Sequence, residues 1–257
     1  MGIIVKYEGS YRPKDPILIE GLPGVGNVAR MAAEHLGEQL KAERFATIYS
    51  DCLPAAVFVD EDSVGHLVSV SLWHAPSPDG REIVFMTGEF QPMSSEGQFS
   101  LYNDIFRLMA DWGLSEIITL GGVGTGSFGK DPDVLAVVSR PELRKTAEKA
   151  GAMLVPGEPS GGIIGAAGLF LGFGQMEGVD SMCFVAECCG YVYDFKATIA
   201  LLKVLKKLLK IPKLDLSELR SQAKKLDEMT NQAKDAMDRS ERSDMLTYIG
   251  RRNSLPS

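Results

Sequence analysis

The chain has 257 residues, of which 45% are apolar, and this is enough to bury one large core. Its 27 basic and 34 acidic residues give a formal net charge of −7, and no basic stripe could neutralise a nucleic-acid backbone, so we expect no nucleic-acid partner. The longest apolar stretch, 161–174, is shorter than the roughly 20 residues that span a bilayer, and the start lacks signal-peptide features, so we expect a cytoplasmic protein without membrane association.

Strand-like and helix-like patterns alternate along the chain. Helices are predicted over 27–41, 96–112 and 142–150 and from Asp194 onward. An Asp79-Gly80 pair between two β-rich runs predicts a hairpin, so the sheet is expected to be mixed. The fold class predicted is α/β, with a single mostly parallel, mixed sheet and helices on both faces. The predicted strands are "PILIEG", "FATIYSD", "AAVFVD", "HLVSVSLWHA", "EIVFMTGEF", "EIITLGG", "VLAVVSR" and "SMCFVAEC".

The C-terminal part of the chain differs in character from the rest. We predict an α/β core domain over 1–212, followed by a C-terminal helical extension and flexible tail over 213–257. Apolar side chains recur there at spacings of three and four residues and form one narrow helical seam. The seam packs either on its own domain or against another subunit or partner, and its predicted docking residues are Leu219, Leu226 and Met237.

The first glycine-rich stretch, "IEGLPGVGNVA" over 19–29, follows a strand and precedes a helix. Gly24 and Gly26 fit the pattern G-x-G-x-x-A of a dinucleotide fingerprint. That fingerprint places its first glycine directly at the end of the strand, whereas here Glu20, Gly21 and two further residues intervene, and a charged Glu20 would repel a pyrophosphate. We interpret the stretch as a tight turn with close helix packing and keep dinucleotide binding as the alternative.

Two further stretches are rich in glycine. The segment 124–130 matches G-x-x-x-x-G-K but continues with Asp131 instead of a hydroxyl residue, and a strand pattern follows, so we interpret it as a flexible loop at a ligand-binding sheet edge. The segment 157–174 carries small residues at spacings of three and four. These predict a buried helix packed closely on the sheet or, alternatively, a subunit interface.

Three carboxylates fall at or near the ends of predicted strands: Glu20, Glu89 and Glu187. If the three strands are neighbours, these groups converge and could bind a cation or share a proton. The alternative is that each one caps a helix, accepts loop N–H groups or pairs with an arginine. The candidate pocket consists of these three residues together with Gly21, Gly24, Gly26 and Gly124.

No established catalytic pattern appears beside them. The three histidines lack metal-ligand spacing, and no nucleophile elbow is present, so we predict no catalytic residue, no metal and no cofactor.

Five segments in order are similar to the archaeal branch of the proteasome assembly chaperone family. They are "IEGLPGVGNVA", "EIITLGGVGTG", "SGGIIGAAGLFLGFG", "CFVAECCGYVYDFKATIALLKVLKKLL" and "IPKLDLSELRSQAKKLDEM", and the resemblance covers 16–250. It implies a non-enzymatic protein with a fold similar to nucleoside phosphorylases and hydrolases. It also implies a homo-oligomer, a trimer or tetramer, that binds proteasome α subunits.

The resemblance further implies a C-terminal hydrophobic-tyrosine-any motif. Its tyrosine packs in a pocket between subunits, and the terminal carboxylate pairs with a lysine. The nearest match is "LTYIG", which assigns Leu246, Tyr248 and Ile249 to partner contact. Because "RRNSLPS" follows Gly250, either trimming exposes the motif, or docking uses another surface, or proteasome binding has been lost.

We therefore predict a chaperone-like binding protein. The competing hypothesis is a nucleoside- or nucleotide-binding enzyme, either a hydrolase or a ligase, that uses Glu20, Glu89 and Glu187 at the carboxyl edge of the sheet.

Overall fold

The computed structural model describes residues 2–126, 131–154, 157 and 162–232. The chain divides into two units, 1–216 and 217–257. The first unit is an α/β domain, and the described part of the second is a helix over 217–232, here called α6. No helix among the described residues is both long and apolar enough to cross a membrane.

The first unit contains eleven strands and five α-helices among the described residues. The strands are β1 (Ile3–Tyr7), β2 (Ile17–Glu20), β3 (Glu43–Ser50), β4 (Val57–Val59), β5 (Gly65–Leu67), β6 (Val70–Pro76), β7 (Glu82–Gly88), β8 (Glu116–Gly124), β9 (Val134–Val138), β10 (Met153–Leu154) and β11 (Asp180–Cys188). The helices are α1 (Val28–Gln39), α2 (Ser95–Asp111), α3 (Arg144–Ala150), α4 (Ala166–Glu177) and α5 (Phe195–Leu208).

Nine strands form one mixed sheet in the order β1-β3-β6-β7-β2-β8-β11-β9-β10. The four central strands β7, β2, β8 and β11 run parallel, and antiparallel pairs flank them on both sides. β4 and β5 form a separate two-stranded sheet. The predicted mixed α/β sheet is confirmed, and so is the hairpin at Asp79-Gly80, which joins β6 to β7.

Helices cover both faces of the sheet, as predicted. The largest cluster of buried side chains places Leu18, Val84 and Ile117 of the central strands against Tyr102 of α2 and Phe170 of α4. On the opposite face α1 packs beside β7, α5 and β8, and α3 contacts α5. Central strands that are covered on both sides need continuous apolar runs, and every residue of β2 is buried.

Side-chain caps determine where two of the helices begin. Ser94 Oγ accepts a hydrogen bond from Gly97 N at 3.0 Å and starts α2, and Asp194 Oδ1 accepts one from Ala197 N at 3.0 Å and starts α5. Asp194 Oδ2 also accepts from Cys189 N at 2.9 Å, so a hydrogen bond connects the two ends of the loop between β11 and α5.

The end of the first unit is attached to α1. His35 Nε2 donates to the Asp215 carbonyl oxygen at 2.7 Å, and Gln39 Oε1 accepts from Asp215 N at 3.2 Å. The backbone at residue 215 is therefore held at both of its polar groups.

Candidate functional site

The glycine turn after β2 is packed against its surroundings on several sides. A methyl group at Gly21 would lie 2.3 Å from Ala33 Cβ and 2.8 Å from the Ala29 carbonyl oxygen, both in α1. Gly26 has φ +64°, and its Cα faces Cys188 of β11. Such close approaches require glycine, because any Cβ would force the backbones apart. The structure therefore supports the interpretation of this stretch as a tight turn with close helix packing.

Strand β8 also makes room for this turn. A Cβ at Gly122 would lie 2.4 Å from the Val25 carbonyl oxygen, so the glycine in the strand lets the turn lie directly upon it. Asp194 N donates to the Gly26 carbonyl oxygen at 3.1 Å, which connects the turn to the loop that precedes α5. Gly24 differs from the other turn glycines, because a Cβ there would meet no atom within 4 Å.

Glu20 is the last residue of β2 and is only 1% exposed. Its Oε1 atom accepts a hydrogen bond from Leu22 N at 2.9 Å, and the backbone N–H of Leu120 also interacts with the carboxyl group. The Oε2 atom has no hydrogen-bond partner of ordinary geometry among the described residues. Burial raises the pKa of the Glu20 carboxyl group to about 8, so it is mainly neutral at pH 7. The expectation that a charged Glu20 repels an anion therefore does not hold at neutral pH.

Two polar neighbours lie beside Glu20 in the sheet. The strand register pairs Glu20 with Thr119 of β8, and Thr119 with Cys183 of β11. Thr119 and Cys183 are both fully buried. Burial raises the pKa of the Cys183 thiol to about 12, so the thiol is uncharged at neutral pH.

A cavity of 330 Å³ lies at the carboxyl ends of β2 and β8. Glu20 lines it together with Gln91 and Gln98, and most of the remaining lining is glycine and aliphatic side chains. Gln91 makes three hydrogen bonds: its Oε1 accepts from Tyr102 Oη and Ala166 N, each at 3.0 Å, and its Nε2 donates to the Pro23 carbonyl oxygen at 2.8 Å.

The three predicted carboxylates are not brought together. Glu187 lies on β11, separated from β2 by β8, and its register partner Val123 is four residues beyond the partner of Glu20, an offset of about 13 Å along the strand. Glu89 follows the end of β7 and does not line the cavity. Within the described ranges, no group of three or more His, Cys, Asp or Glu residues could hold a metal ion.

The phosphate-loop-like segment falls partly outside the described residues, at 127–130. Gly124 ends β8, where a Cβ would lie 3.6 Å from Gly190 Cα. The next regular element among the described residues is a strand, β9, whereas a phosphate loop requires a helix at this place.

Only two of the predicted partner-binding residues lie within the described part of the chain. Leu219 and Leu226 lie on α6, seven residues apart and so on one face of the helix. Met237, Leu246, Tyr248 and Ile249 lie outside the described residues.

An exposed apolar surface on β4 and β5 was not predicted. Val57, Val59 and Leu67 are 57%, 68% and 61% exposed, and the register Val57–Leu67 places them on one face of the two-stranded sheet. On the other face Phe58 stacks on Phe90, with ring centroids 5.6 Å apart. The sequence "AAVFVD" carried the strand signal, but nothing in it indicated exposure. We call Val57, Val59 and Leu67 the hairpin face.

Comparison with models of protein families shows to which family the chain belongs. The model of the PAC2 family matches residues 18–234, most of the chain. The chain belongs to the PAC2 family. The resemblance predicted from the five sequence segments is thereby confirmed. An uncharacterised protein of Methanocaldococcus jannaschii is 32% identical over 190 residues, which cover 74% of this chain and 72% of that protein.

Two crystal structures from Pyrococcus furiosus are similar to this PAC2 protein. PbaB, an archaeal proteasome activator, is 33% identical with a TM-score of 0.83, and the alignment covers 91% of this chain and 99% of PbaB. PbaA, an archaeal homologue of proteasome-assembly chaperone, is 20% identical with a TM-score of 0.76, and the alignment covers 97% of this chain and 99% of PbaA. At that identity the likeness to PbaA shows the fold alone.

Proposed function

We propose that this PAC2 protein is a non-enzymatic, proteasome-assembly chaperone-like protein that binds proteasome α subunits as a homo-oligomer in the cytoplasm. The observation that carries the proposal is the likeness to the proteasome activator PbaB, which extends over 91% of this chain at 33% identity. Because a shared fold does not by itself carry a function, the proposal also depends on the surfaces described next.

The hairpin face supports self-association. A two-stranded sheet is at best marginally stable in water, and exposed apolar side chains on one of its faces are typical of an interaction surface. Val57, Val59 and Leu67 form such a face, and the stacking of Phe58 on Phe90 holds the opposite face. A second copy that covers the hairpin face removes this apolar area from water.

Assembly into a homo-oligomer also strengthens the binding of the C-terminal tails to α subunits. Several identical tails that face a ring of identical α subunits raise one another's effective concentration, so weak single contacts add up to stable binding. In this proposal the seam residues Leu226 and Met237 and the tail residues Leu246, Tyr248 and Ile249 provide the contacts. Leu219 is only 8% exposed and is left out of the contact set for that reason.

The enzyme hypothesis has lost its main support. It required Glu20, Glu89 and Glu187 to converge, and the sheet order and register keep them apart. Glu20 is a single buried carboxyl group with no second acid beside it in the sheet, where its neighbours are Met86 and Thr119.

Co-purification with α subunits tests the proposal. Three tagged proteins are each mixed with purified α subunits, and the masses of the complexes are measured by native mass spectrometry. They are the full-length protein, a variant that ends at Ile249 so that Tyr248 is penultimate, and the same truncation carrying Tyr248→Ala. We expect binding by the full-length protein, stronger binding by the truncation, and loss of that gain with Tyr248→Ala. No binding by any of the three contradicts the proposal, whereas equal binding by all three contradicts only the role of the tail.

A further inference from the structure

The cavity beside Glu20 lies where the connections of the sheet diverge. After β2 the chain enters α1 on one face, and after β7 it enters α2 on the other face before it reaches β8 on the far side of β2. In open α/β sheets, ligands bind in the crevice outside the carboxyl ends of the strands at this kind of switch point. The 330 Å³ cavity occupies this crevice, and its size is at the lower end for small-molecule sites.

One residue of the cavity lining has a buried polar atom without a hydrogen bond. Glu20 lines the cavity, is 1% exposed, and has an Oε2 atom without a hydrogen-bond partner of ordinary geometry among the described residues. A buried polar atom that lacks a hydrogen bond destabilises the folded state, so native proteins seldom keep one. A ligand atom that bonds to Oε2 removes this destabilisation.

Two helix N-termini border the same cavity. Ala29 lies in the first turn of α1 and Ala167 in the first turn of α4, and both helices have 12 residues. The N-cap residues of both helices make no side-chain cap bond, and at α4 the first N–H, that of Ala166, donates to Gln91 Oε1. The free N–H groups at a helix N-terminus carry partial positive charge and favour a negative ligand group. The polar end of the cavity is thus suited to an anion.

The protonation of Glu20 agrees with an anionic ligand. Burial raises the pKa of Glu20 to about 8, so at pH 7 the carboxyl group can donate its proton in a hydrogen bond. The titratable groups that act on it are Tyr102 of α2 and Cys183 of β11. Burial raises the pKa of both, so neither carries charge near neutral pH.

Apart from Glu20, Gln91 and Gln98, the side chains that line the cavity are apolar. Its walls include Leu22, Val123, Ile163 and Val185. Val25 and Ile164, also in the lining, are 43% and 85% exposed and mark the mouth. A ligand here needs a hydrocarbon body as well as its charged end.

We propose that this cavity binds a small aliphatic carboxylic acid, whose carboxylate accepts a hydrogen bond from Glu20 and faces the N-termini of α1 and α4 while its hydrocarbon body lies against the apolar walls. The site is independent of the proposed proteasome function, because it involves neither the hairpin face nor the tail.

Calorimetric titration of the full-length protein with hexanoate at pH 7 and pH 9 tests the site. Since a carboxyl group with a pKa of about 8 must keep its proton for binding, the apparent Kd is expected to rise about tenfold between these pH values. Hexanol lacks the carboxylate and inorganic phosphate lacks the hydrocarbon body, so both should bind at least tenfold more weakly than hexanoate at pH 7. No binding of hexanoate, or equal binding of hexanol, overturns the proposal.

Matched variants locate the site. Glu20→Gln keeps a hydrogen-bond donor that cannot ionise, so we expect it to bind hexanoate with nearly the same Kd at both pH values. Glu89→Gln makes the same chemical change outside the cavity and should behave like the wild type. Gly24→Leu fills open space at the mouth from an extended backbone that accepts a side chain, and should abolish binding. Unchanged binding by Gly24→Leu, or a tenfold pH effect that persists in Glu20→Gln, overturns the proposal.

Discussion

The glycine turn and the hairpin face depart from ordinary burial in opposite directions. Beside the turn, the carboxyl group of Glu20 is almost completely buried, and one of its oxygens has no hydrogen-bond partner of ordinary geometry among the described residues. On the hairpin face, three aliphatic side chains are more than half exposed. Polar groups inside and apolar groups outside are the two informative exceptions to the burial rule. The first directs attention to a small-molecule site and the second to a protein partner.

Replacing Glu20 with a residue that cannot ionise has the largest expected effect on the free energy of unfolding. The pKa of Glu20 is raised from 4.5 to about 8 in the folded protein, so the wild type loses stability as pH rises through this window. Glu20→Gln cannot ionise and should be more stable than the wild type at pH 8, by an amount on the order of 4 kcal/mol, with little difference at pH 4.5. Urea denaturation at pH 4.5, 6 and 8 measures this difference. An unchanged pH slope would show that Glu20 ionises normally in the folded state.

The packing of the turn is tested by adding single methyl groups. Gly21→Ala places a Cβ 2.3 Å from Ala33 Cβ, and overpacking of this kind costs about 1–3 kcal/mol. Gly24→Ala is the matched control, because its Cβ meets nothing within 4 Å and its φ of −154° suits alanine. Thermal denaturation should separate the two variants by several degrees. Equal melting temperatures would mean that the turn does not pack closely on α1.

The hairpin face is tested by adding charge to it. Val57→Lys combined with Leu67→Lys places two like charges at directly paired positions, and a partner cannot cover them without desolvating both. We expect the dissociation constant of the homo-oligomer to rise at least about tenfold, or about 1.4 kcal/mol. Sedimentation velocity over a concentration series gives the constant. Ile4→Lys, at a side chain that is 70% exposed on edge strand β1, is the control.

If the wild type is monomeric, or if the double variant associates as tightly as the wild type, the hairpin face is not the self-association surface. A fall in association with Ile4→Lys would instead place the interface at the edge strand.

The smallest expected effect concerns nucleosides. A ligand at 100 times its dissociation constant stabilises a protein by about 2.7 kcal/mol. Since the three glutamates do not converge and the turn is packed against β8 and β11, ribonucleosides and nucleotides should leave the melting temperature within experimental error. A shift of several degrees would revive the enzyme hypothesis and weaken the contrast between the two regions.

Local patterns predicted much of the fold. Helix α2 was predicted over 96–112 and observed over Ser95–Asp111, because its apolar spacing and the Ser94 cap both act within a few residues. Strand β1 was not predicted, although Ile3, Val5 and Tyr7 alternate with more exposed residues, the period that a half-buried strand requires. Its pairing with β3 involves residues more than 35 positions away.

The two exceptional regions could not be predicted because burial is a tertiary property. Glu20 looked like a charge that would repel an anion, and its raised pKa depends on burial beside β8, whose Thr119 is 99 positions away. In "AAVFVD" the aliphatic residues are typical of a core strand, yet β4 pairs only with β5 and stays outside the main sheet. The sequence predicted both strands, but it did not indicate which of their side chains are exposed to solvent.

The attachment of residue 215 to α1 has a geometric consequence for any assembly. His35 and Gln39 bind both backbone polar groups of Asp215. The point at which the chain leaves the first unit is therefore the same in every copy. In a closed ring of copies these departure points repeat with the symmetry of the ring. The spacing between these points is then determined by the folded cores and by the symmetry that relates them.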